Sequence, residues 1–295
     1  MRKYYIAFLV IAFAGGWMLF GLLRTSCAHG AASYRKSGVK VAIGKDLAPF
    51  SFMGLNGEPK GFFIDYWEKW SEKTGVPVTF VPATFGQGLD LVRTGECDII
   101  PGLLMNDERQ KYLDYSVPIH RIKAVILVDN DAAVKSETPL STLCVGVVAR
   151  GYAEYYLKTN YPNIKMKGFD SFRGLLDALV GGDIKAIATE YPVFVCAVGE
   201  HGRIGDFCIV KNLYERELHA AVPKGNHALL ELVNNGLSSI SKSEFGHISD
   251  RWFIADPPSW TWLKVLSVFA AGALFLAIGV LVHGHRRQAS SKRGE

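Results

Sequence analysis

Arg109 is the strongest candidate for binding chemistry in this sequence. Its guanidinium can hold a carboxylate through two parallel, charge-assisted hydrogen bonds, each contributing about 1.5 to 3 kcal/mol when desolvated. The alternative is a surface arginine at the start of a helix, the end at which the helix dipole disfavours a cation. Because that position is unfavourable for a merely structural cation, we expect Arg109 to bind an anionic group of a ligand.

Five further positions carry side chains or backbone groups suited to ligand binding. Glu190 follows an apolar, strand-like run and can either bind an ammonium group or cap the next helix, and both interpretations stay open. Phe50 and Phe52 alternate on an extended segment, so one can form an apolar or cation-π wall while the other enters the core. The backbone N–H groups of Gly151 and Tyr152, near a predicted helix start, can receive an anion.

Signatures of catalysis and of metal binding are missing from the sequence. There is no His-Glu-x-x-His, no Gly-x-Ser-x-Gly and no Walker glycine loop. Gly181-Gly182-Asp183-Ile184 is similar to a cyclic-dinucleotide synthase motif, but we interpret it as a helix C-cap and turn. His283 and His285 are too few for a metal site. We therefore predict no catalytic residue, no metal and no cofactor.

The elements that must position these residues form two series of alternating strands and helices, the pattern of parallel sheets with crossover helices. A polar linker at 129–142 separates the series, so we predict two α/β lobes. The first series has strands at 39–44, 76–81 and 98–101 and helices at 64–74 and 88–94. The second has strands at 144–148, 164–168 and 184–188 and helices at 153–160, 172–180 and 191–198. A strand at 218–222 and a helix at 228–241 follow and are expected to return to the first lobe.

The net charge of +5 is concentrated at the two ends of the chain. Residues 1–36 contain five bases and no acid, and the segment from 264 onward contains five bases and one acid. The central part, 37–262, holds 23 bases against 27 acids. A nucleic-acid partner is therefore not expected.

Both ends also contain a long uncharged segment, at 4–23 and at 265–282, and each is about long enough to cross the hydrocarbon of a bilayer as a helix. We predict a signal peptide or N-terminal membrane anchor with a linker over 1–37, with the uncleaved anchor favoured. The second segment follows two interfacial tryptophans and precedes a basic tail, which predicts a transmembrane helix at 260–283 and a cytoplasmic tail at 284–295. The central part then faces outward, with the lipid bilayer as a partner.

Outside the cytoplasm, cysteines can form disulfides, whereas a metal site would need closer spacing than this chain has. Cys196 with Cys208 is the pairing we favour, although the other connectivities of Cys97, Cys144, Cys196 and Cys208 and free buried thiols stay open.

The central part, roughly 38–255, resembles the family 3 extracellular solute-binding proteins, which have the type II periplasmic binding protein fold. Its motifs stand in the family's order. They are Ala48-Pro49-Phe50-Ser51-Phe52 with Gly57 and Gly61-Phe62-Phe63-Ile64-Asp65; Gly95-Glu96-Cys97-Asp98-Ile99-Ile100 with Asn106-Asp107-Glu108-Arg109; Asp114-Tyr115-Ser116-Val117-Pro118; Val145-Gly146-Val147 with Gly151; and Ile248 through Arg251-Trp252-Phe253.

The resemblance implies a two-lobed α/β solute-binding domain over 38–256, with lobe 1 at about 38–127 and 218–256 and lobe 2 at about 128–217. Two hinge strands, at 124–128 and 218–222, would join the lobes, and closure would bury a ligand between them. In the family the position of Arg109 grips the ligand's carboxylate. Glu190 stands where amino-acid-binding relatives carry an aspartate for the ligand's ammonium group.

Two departures from the family's pattern concern the pocket. Leu103, Leu104 and Met105 occupy a stretch where relatives often supply a threonine or serine hydroxyl, and Tyr152 replaces a threonine that often follows the glycine. We expect Leu103 and Tyr152 to add apolar bulk, which makes the pocket less suited to an ordinary free amino acid.

We therefore predict a non-enzymatic module, tethered to a bacterial cytoplasmic membrane and facing the periplasm or exterior. It would bind a small polar solute, carboxylate-bearing and amino-acid-like, for uptake by an ABC permease or for sensing through a separate signalling protein. Only about 13 residues follow the second predicted span, too few for an output domain. The alternative is an enzyme on the same fold, such as a cyclohexadienyl dehydratase-like lyase, for which Glu190 is the only acid/base candidate.

Overall fold

The computed structural model describes residues 33–130, 139–199 and 204–253. The apolar segment 4–23 of the predicted N-terminal signal or anchor, the predicted transmembrane helix at 260–283 and the predicted cytoplasmic tail lie outside these residues. Among the residues described, no helix is both long and apolar enough to cross a bilayer.

The described residues contain eleven strands and, from residue 39 onward, seven α-helices. The strands are Val39–Gly44 (β1), Asp46–Leu47 (β2), Ser51–Met53 (β3), Pro59–Lys60 (β4), Val78–Ala83 (β5), Ile100–Leu103 (β6), Leu113–Asp129 (β7), Cys144–Val148 (β8), Lys165–Phe169 (β9), Ala186–Glu190 (β10) and Phe207–Pro223 (β11). The helices are Phe62–Thr74 (α1), Phe85–Thr94 (α2), Tyr152–Asn160 (α3), Phe172–Val180 (α4), Tyr191–Gly199 (α5), His227–Ser239 (α6) and Lys242–Trp252 (α7).

The predicted β/α alternation is confirmed, and the strands at 39–44 and 144–148 and the helix at 172–180 match residue for residue. Helix α2 begins earlier than predicted, at Phe85. Its first turn contains Gly86 and Gly88, which weaken the helical pattern. Thr84 compensates with a capping box: its hydroxyl accepts from the Gln87 N–H while the Gln87 side chain accepts from the Thr84 N–H.

Two long antiparallel strands, β7 and β11, tie the two lobes together. They pair along their whole length, from Phe207 opposite Asp129 to Pro223 opposite Leu113. Together they form the centre of a six-stranded sheet in the order β6-β11-β7-β10-β8-β9. Strand β6 pairs with the late part of β11 in lobe 1, and β10 pairs with the late part of β7 in lobe 2.

The predicted hinge at 124–128 lies in this pair of strands, and its role as a hinge stays a prediction. Each of its residues also pairs with β10, from Ala124 opposite Glu190 to Val128 opposite Ala186, so this segment has a third strand beside it. Between the segments that also pair with β6 and with β10, residues 120–123 and 215–218 pair only with each other, and we expect bending to meet the least resistance there. The lobe boundaries given above stay a prediction.

The core of lobe 1 is built around helix α1. Tyr66, Trp67 and Trp70 are spaced for one face of this helix, and all three are buried, the two tryptophans fully. The indole N–H of Trp67 donates to the carbonyl of Pro101 (3.2 Å), and that of Trp70 donates to the carbonyl of Val233 (3.1 Å). Since buried indole N–H groups need partners, these two bonds fix α1 against both β6 and α6.

The predicted Cys196–Cys208 disulfide is wrong: Cys208 carries a free thiol, as do Cys97 and Cys144. Cys97 is buried in an apolar cluster with Leu89 and Val92, where a thiol packs as a small hydrophobic group.

Candidate ligand-binding site

A cavity of about 110 Å³ lies between the lobes. One buried water needs roughly 10 to 15 Å³, so this space suits a small ligand rather than a single structural water. Six of the seven predicted site residues line it: Phe50, Leu103, Arg109, Gly151, Tyr152 and Glu190.

Arg109 is held in place by its own short 3₁₀ turn, Arg109–Lys111, and is only 3% exposed. The side-chain oxygen of Asn106 accepts from the Arg109 backbone N–H (2.8 Å). The guanidinium donates from Nη1 to the carbonyl of Leu104 (2.8 Å) and from Nη2 to the carbonyl of Arg150 (2.7 Å), and it lies 5.3 Å from the ring centre of Phe85. A guanidinium has five N–H donors, so donors remain for a ligand oxygen.

Burial lowers the pKa of Arg109, but an arginine keeps its charge in proteins. Its positive charge therefore faces the cavity from lobe 1.

Glu190 is the last residue of β10 and reaches the cavity from lobe 2. The hydroxyl of Tyr214 donates to its Oε1 (3.2 Å). Burial raises the pKa of Glu190, while the Tyr214 hydrogen bond and the charge of Arg109 oppose this shift. The ionised form of this buried carboxyl group would therefore be stabilised by a cation bound next to it, because a nearby positive charge favours the carboxylate.

The apolar wall comes from Phe50 and Leu103, each 2% exposed. Phe50 stacks on Phe63, with ring centres 5.3 Å apart, and also contacts Phe253 at 5.2 Å. Phe52 does not line the cavity; its ring packs edge-on against Trp252 at 5.9 Å. The expected division, with one ring at the cavity and the other in the core, is not seen: Phe50 contributes to both, and Phe52 is half-buried outside them.

Gly151 and Tyr152 line the cavity at the start of α3. The Gly151 N–H donates to the carbonyl of Val148 (3.0 Å), and binding of an anion by the Gly151 and Tyr152 N–H groups stays a prediction. A side chain is excluded here because a Cβ would lie 2.7 Å from the Val148 oxygen. The Tyr152 ring packs edge-on against Tyr214 (4.9 Å between centres) and so supports the partner of Glu190.

Several polar cavity residues escaped the sequence reasoning: Asp46, Ser51, Thr84, Asp170 and Ser171. Ser51 is 1% exposed, and its hydroxyl has no hydrogen-bond partner among the described residues. Ser51 lies inside the Ala48–Phe52 motif, between Phe50 and Phe52. A buried hydroxyl without a partner is rare, so it points to a contact with a ligand or water.

The described residues contain no group of three or more histidine, cysteine or acidic side chains that could hold a metal ion.

The chain forms two α/β lobes joined by paired strands, and a cation from one lobe and an acid from the other line the space between them. This arrangement defines a two-lobed solute-binding protein. The chain belongs to the bacterial extracellular solute-binding proteins, family 3, whose family model matches residues 39–255. It is therefore a ligand-binding protein with amino-acid-binding homologues, and not an enzyme.

Curated relatives include amino-acid-binding proteins and a sensor. The L-cystine-binding protein TcyJ of Escherichia coli K12 is 26% identical over 214 residues, covering 70% of this chain and 79% of that protein. The virulence sensor protein BvgS of Bordetella pertussis is 26% identical over 303 residues, covering 95% of this chain but only 24% of the sensor. Among solved structures, an ancestral arginine-binding protein bound to arginine is 28% identical with a TM-score of 0.67, covering 73% of this chain and 98% of that one.

Proposed function

We propose that this protein binds a small zwitterionic, amino-acid-like solute between its lobes. One observation carries the proposal: Arg109 from lobe 1 and Glu190 from lobe 2 line the same cavity. A ligand that bears both a carboxylate and an ammonium group pairs with both, and it does so only when the lobes are closed. The amino acids in the names of the relatives, cystine and arginine, support this ligand class.

In this proposal the free N–H donors of Arg109 hold the carboxylate, and Glu190, oriented by Tyr214, holds the ammonium group. Phe50, Leu103 and Tyr152 line the cavity, and in this proposal they exclude water from the bound solute. Excluding water strengthens both charged contacts because the local dielectric constant falls.

We further propose that the binding domain lies outside a bacterial cytoplasmic membrane and is held to the bilayer by the apolar segments at 4–23 and 265–282. The family's extracellular location supports the orientation. The domain then delivers its solute to an ABC permease or reports it to a separate signalling protein. A relative from Escherichia coli K12 named ABC transporter arginine-binding protein 1 supports the first role, and the sensor, which aligns with 95% of this chain, supports the second.

The direct test is a thermal-shift screen of the purified full-length protein in detergent against amino acids, dicarboxylates and polyamines. A ligand present at 100 times its Kd stabilises the folded state by about 2.7 kcal/mol, which is readily seen as a rise in Tm. We expect shifts with amino acids that Arg109→Met abolishes. If only polyamines stabilised the protein, or if chromatography showed that a stabilising compound was consumed, the proposal would be wrong.

Membrane topology is tested separately with a reporter fused after Glu295. We expect a reporter that works only in the cytoplasm to be active, because the basic tail favours the cytoplasmic side. Activity of a reporter that works only outside the cytoplasm would contradict the proposed orientation.

A further inference from the structure

Arg150 extends from the loop before α3 in lobe 2 and contacts lobe 1. Its Nη1 donates to Oδ2 of Asp90 (2.8 Å) and its Nη2 to Oδ1 (3.0 Å), which is a bidentate pair. Nη1 also donates to the carbonyl of Gly86 (3.0 Å). Gly86 leaves the room for this contact, since a Cβ there would lie 3.3 Å from Nη1. The side chain therefore joins lobe 2 to the first two turns of helix α2.

The backbone of Arg150 makes a second connection between the lobes. Its carbonyl accepts from Nη2 of Arg109 (2.7 Å), and its N–H donates to Oε2 of Glu154 (2.6 Å). Among the described residues it is the one non-glycine with a positive φ, 62°. Such a conformation costs energy and persists only where surrounding contacts hold it. Here the Glu154 bond holds the loop so that the carbonyl and the side chain both reach lobe 1.

We propose that Arg150 is a positioning residue that latches the closed lobes and orients the Arg109 guanidinium, so that it slows release of the bound solute. Its effect on release rests on the function proposed above, whereas its effect on closure is independent of any ligand. Arg150 does not itself line the cavity, so it acts through Asp90 and Arg109.

The strength of the latch follows from its geometry and exposure. The Arg150 and Asp90 side chains are 46% and 42% exposed, which weakens an ion pair through solvent and salt. Against this, the pair is bidentate and carries a third bond to Gly86. The Arg150 hydrogen bond lowers the pKa of Asp90, so the carboxylate stays ionised at neutral pH. We expect loss of the latch to raise the dissociation rate about two- to tenfold, with little change in the association rate because the latch forms after closure.

The test variant is Arg150→Asn, because asparagine tolerates a positive φ and so keeps the loop while removing the charge. The matched control is Arg93→Asn. Arg93 binds the same Asp90 (Nη2 to Oδ1, 3.1 Å) but lies on the same helix, so it does not connect the lobes. Asp90→Asn and the double variant with Arg150→Asn complete a double-mutant cycle.

The first measurement is hydrogen–deuterium exchange of the ligand-free, full-length protein. We expect Arg150→Asn to raise exchange of the amides at 84–90 in lobe 1, far in sequence from the substitution, while 165–169 at the outer edge of lobe 2 stays unchanged. Arg93→Asn should leave lobe 2 at 148–152 unchanged. Unaltered exchange at 84–90 in Arg150→Asn would overturn the latch, whether or not any ligand is found.

The second measurement is stopped-flow dissociation of L-arginine and L-cystine at low and high salt. For wild type we expect release of a bound amino acid to quicken with salt, because salt screens the exposed pair. Arg150→Asn and Asp90→Asn should each release the bound amino acid faster than wild type at low salt, and their dissociation rates should depend little on salt. The double variant should release it no faster than either single variant. Equal salt dependence in wild type and Arg150→Asn would refute the role in release. If neither compound binds, the choice of ligand class fails while the exchange result still decides the latch.

Discussion

Replacing Arg109 by methionine separates binding from folding. Methionine has a similar length and no charge, so it fills much of the space while removing every donor. If the forked guanidinium of Arg109 holds a ligand carboxylate through two hydrogen bonds of about 1.5 to 3 kcal/mol each, the variant loses about 3 to 6 kcal/mol of binding free energy. At 1.4 kcal/mol per factor of ten, affinity should fall roughly 10²- to 10⁴-fold.

The same change should affect folding much less. The guanidinium is 3% exposed and donates to the carbonyls of Leu104 and Arg150, so methionine leaves two acceptors without that donor. It also removes the cost of keeping a cation out of water, which is several kcal/mol for a buried ion. Because these contributions oppose each other, we expect the free energy of unfolding of the ligand-free protein to change by less than about 2 kcal/mol.

Isothermal titration calorimetry with the best ligand of the thermal screen measures the first effect, and thermal unfolding without ligand measures the second. Arg109→Lys should recover only part of the affinity, since an ammonium group is a point charge and cannot form the fork. Arg93→Met, the same change at an exposed arginine outside the cavity, should bind normally. An unchanged Kd in Arg109→Met would refute the assignment of the carboxylate site.

Three further predictions concern other parts of the domain. Burial raises the pKa of Glu190, and a bound ammonium group favours its ionised form. The affinity for the ligand should therefore rise as pH increases through the raised pKa, and calorimetry in different buffers should show that binding releases a proton. Glu190→Gln should abolish this pH dependence. Gly236→Ala places a Cβ 2.2 Å from Nε1 of Trp70, and thermal unfolding should show the folded state destabilised by about 1 to 3 kcal/mol. Gly246→Ala, whose Cβ would have no neighbour within 4 Å, should stabilise the folded state by about 0.5 to 1 kcal/mol. Ser51→Ala should weaken binding of a hydrogen-bonding ligand about tenfold relative to an aliphatic analogue, measured as a ratio of Kd values.

Each of these three has a contrary outcome. Proton uptake on binding would reverse the sign inferred for Glu190. Equal unfolding midpoints for the two alanine variants would mean that Trp70 moves aside without cost. Identical Kd ratios for Ser51→Ala and wild type would assign the serine hydroxyl to a water rather than to the ligand.

The sign for Glu190 also applies to folding. Its pKa is raised in the folded protein, so its contribution to stability is greatest below its unfolded pKa and is lost as pH rises through the folded value. Glu190→Gln should therefore stabilise the ligand-free protein near neutral pH although it impairs binding, as is common for residues kept for function.

Much of the fold was predictable because its signals are local. The spacing of Trp67 and Trp70 marks the buried face of α1, and the strand at 144–148 follows from a run of β-branched residues. Arg109 and Glu190 were also predictable as binding candidates, since an arginine at an unfavourable helix start and an acid at the end of an apolar strand are unusual positions.

The remaining features depend on contacts between residues far apart in the chain. Periodicity shows which face of an element is apolar but not which element covers it, so it could not place Phe52 against Trp252, nor could it show which parts of β7 and β11 also pair with β10 or β6. Cysteine spacing likewise could not show that Cys208 remains a free thiol.

By itself, the sequence determined two α/β lobes and the residue types able to grip a zwitterion, because helix and strand periods and charge placement are properties of neighbouring residues. Tertiary structure alone decided that Arg109 and Glu190 face one cavity and that the buried hydroxyl of Ser51 has no hydrogen-bond partner among the described residues. It also decided that Arg150 reaches across the cleft to Asp90, 60 positions away in the chain. The physical reason is that a site between two lobes exists only after long-range strand pairing brings their edges together.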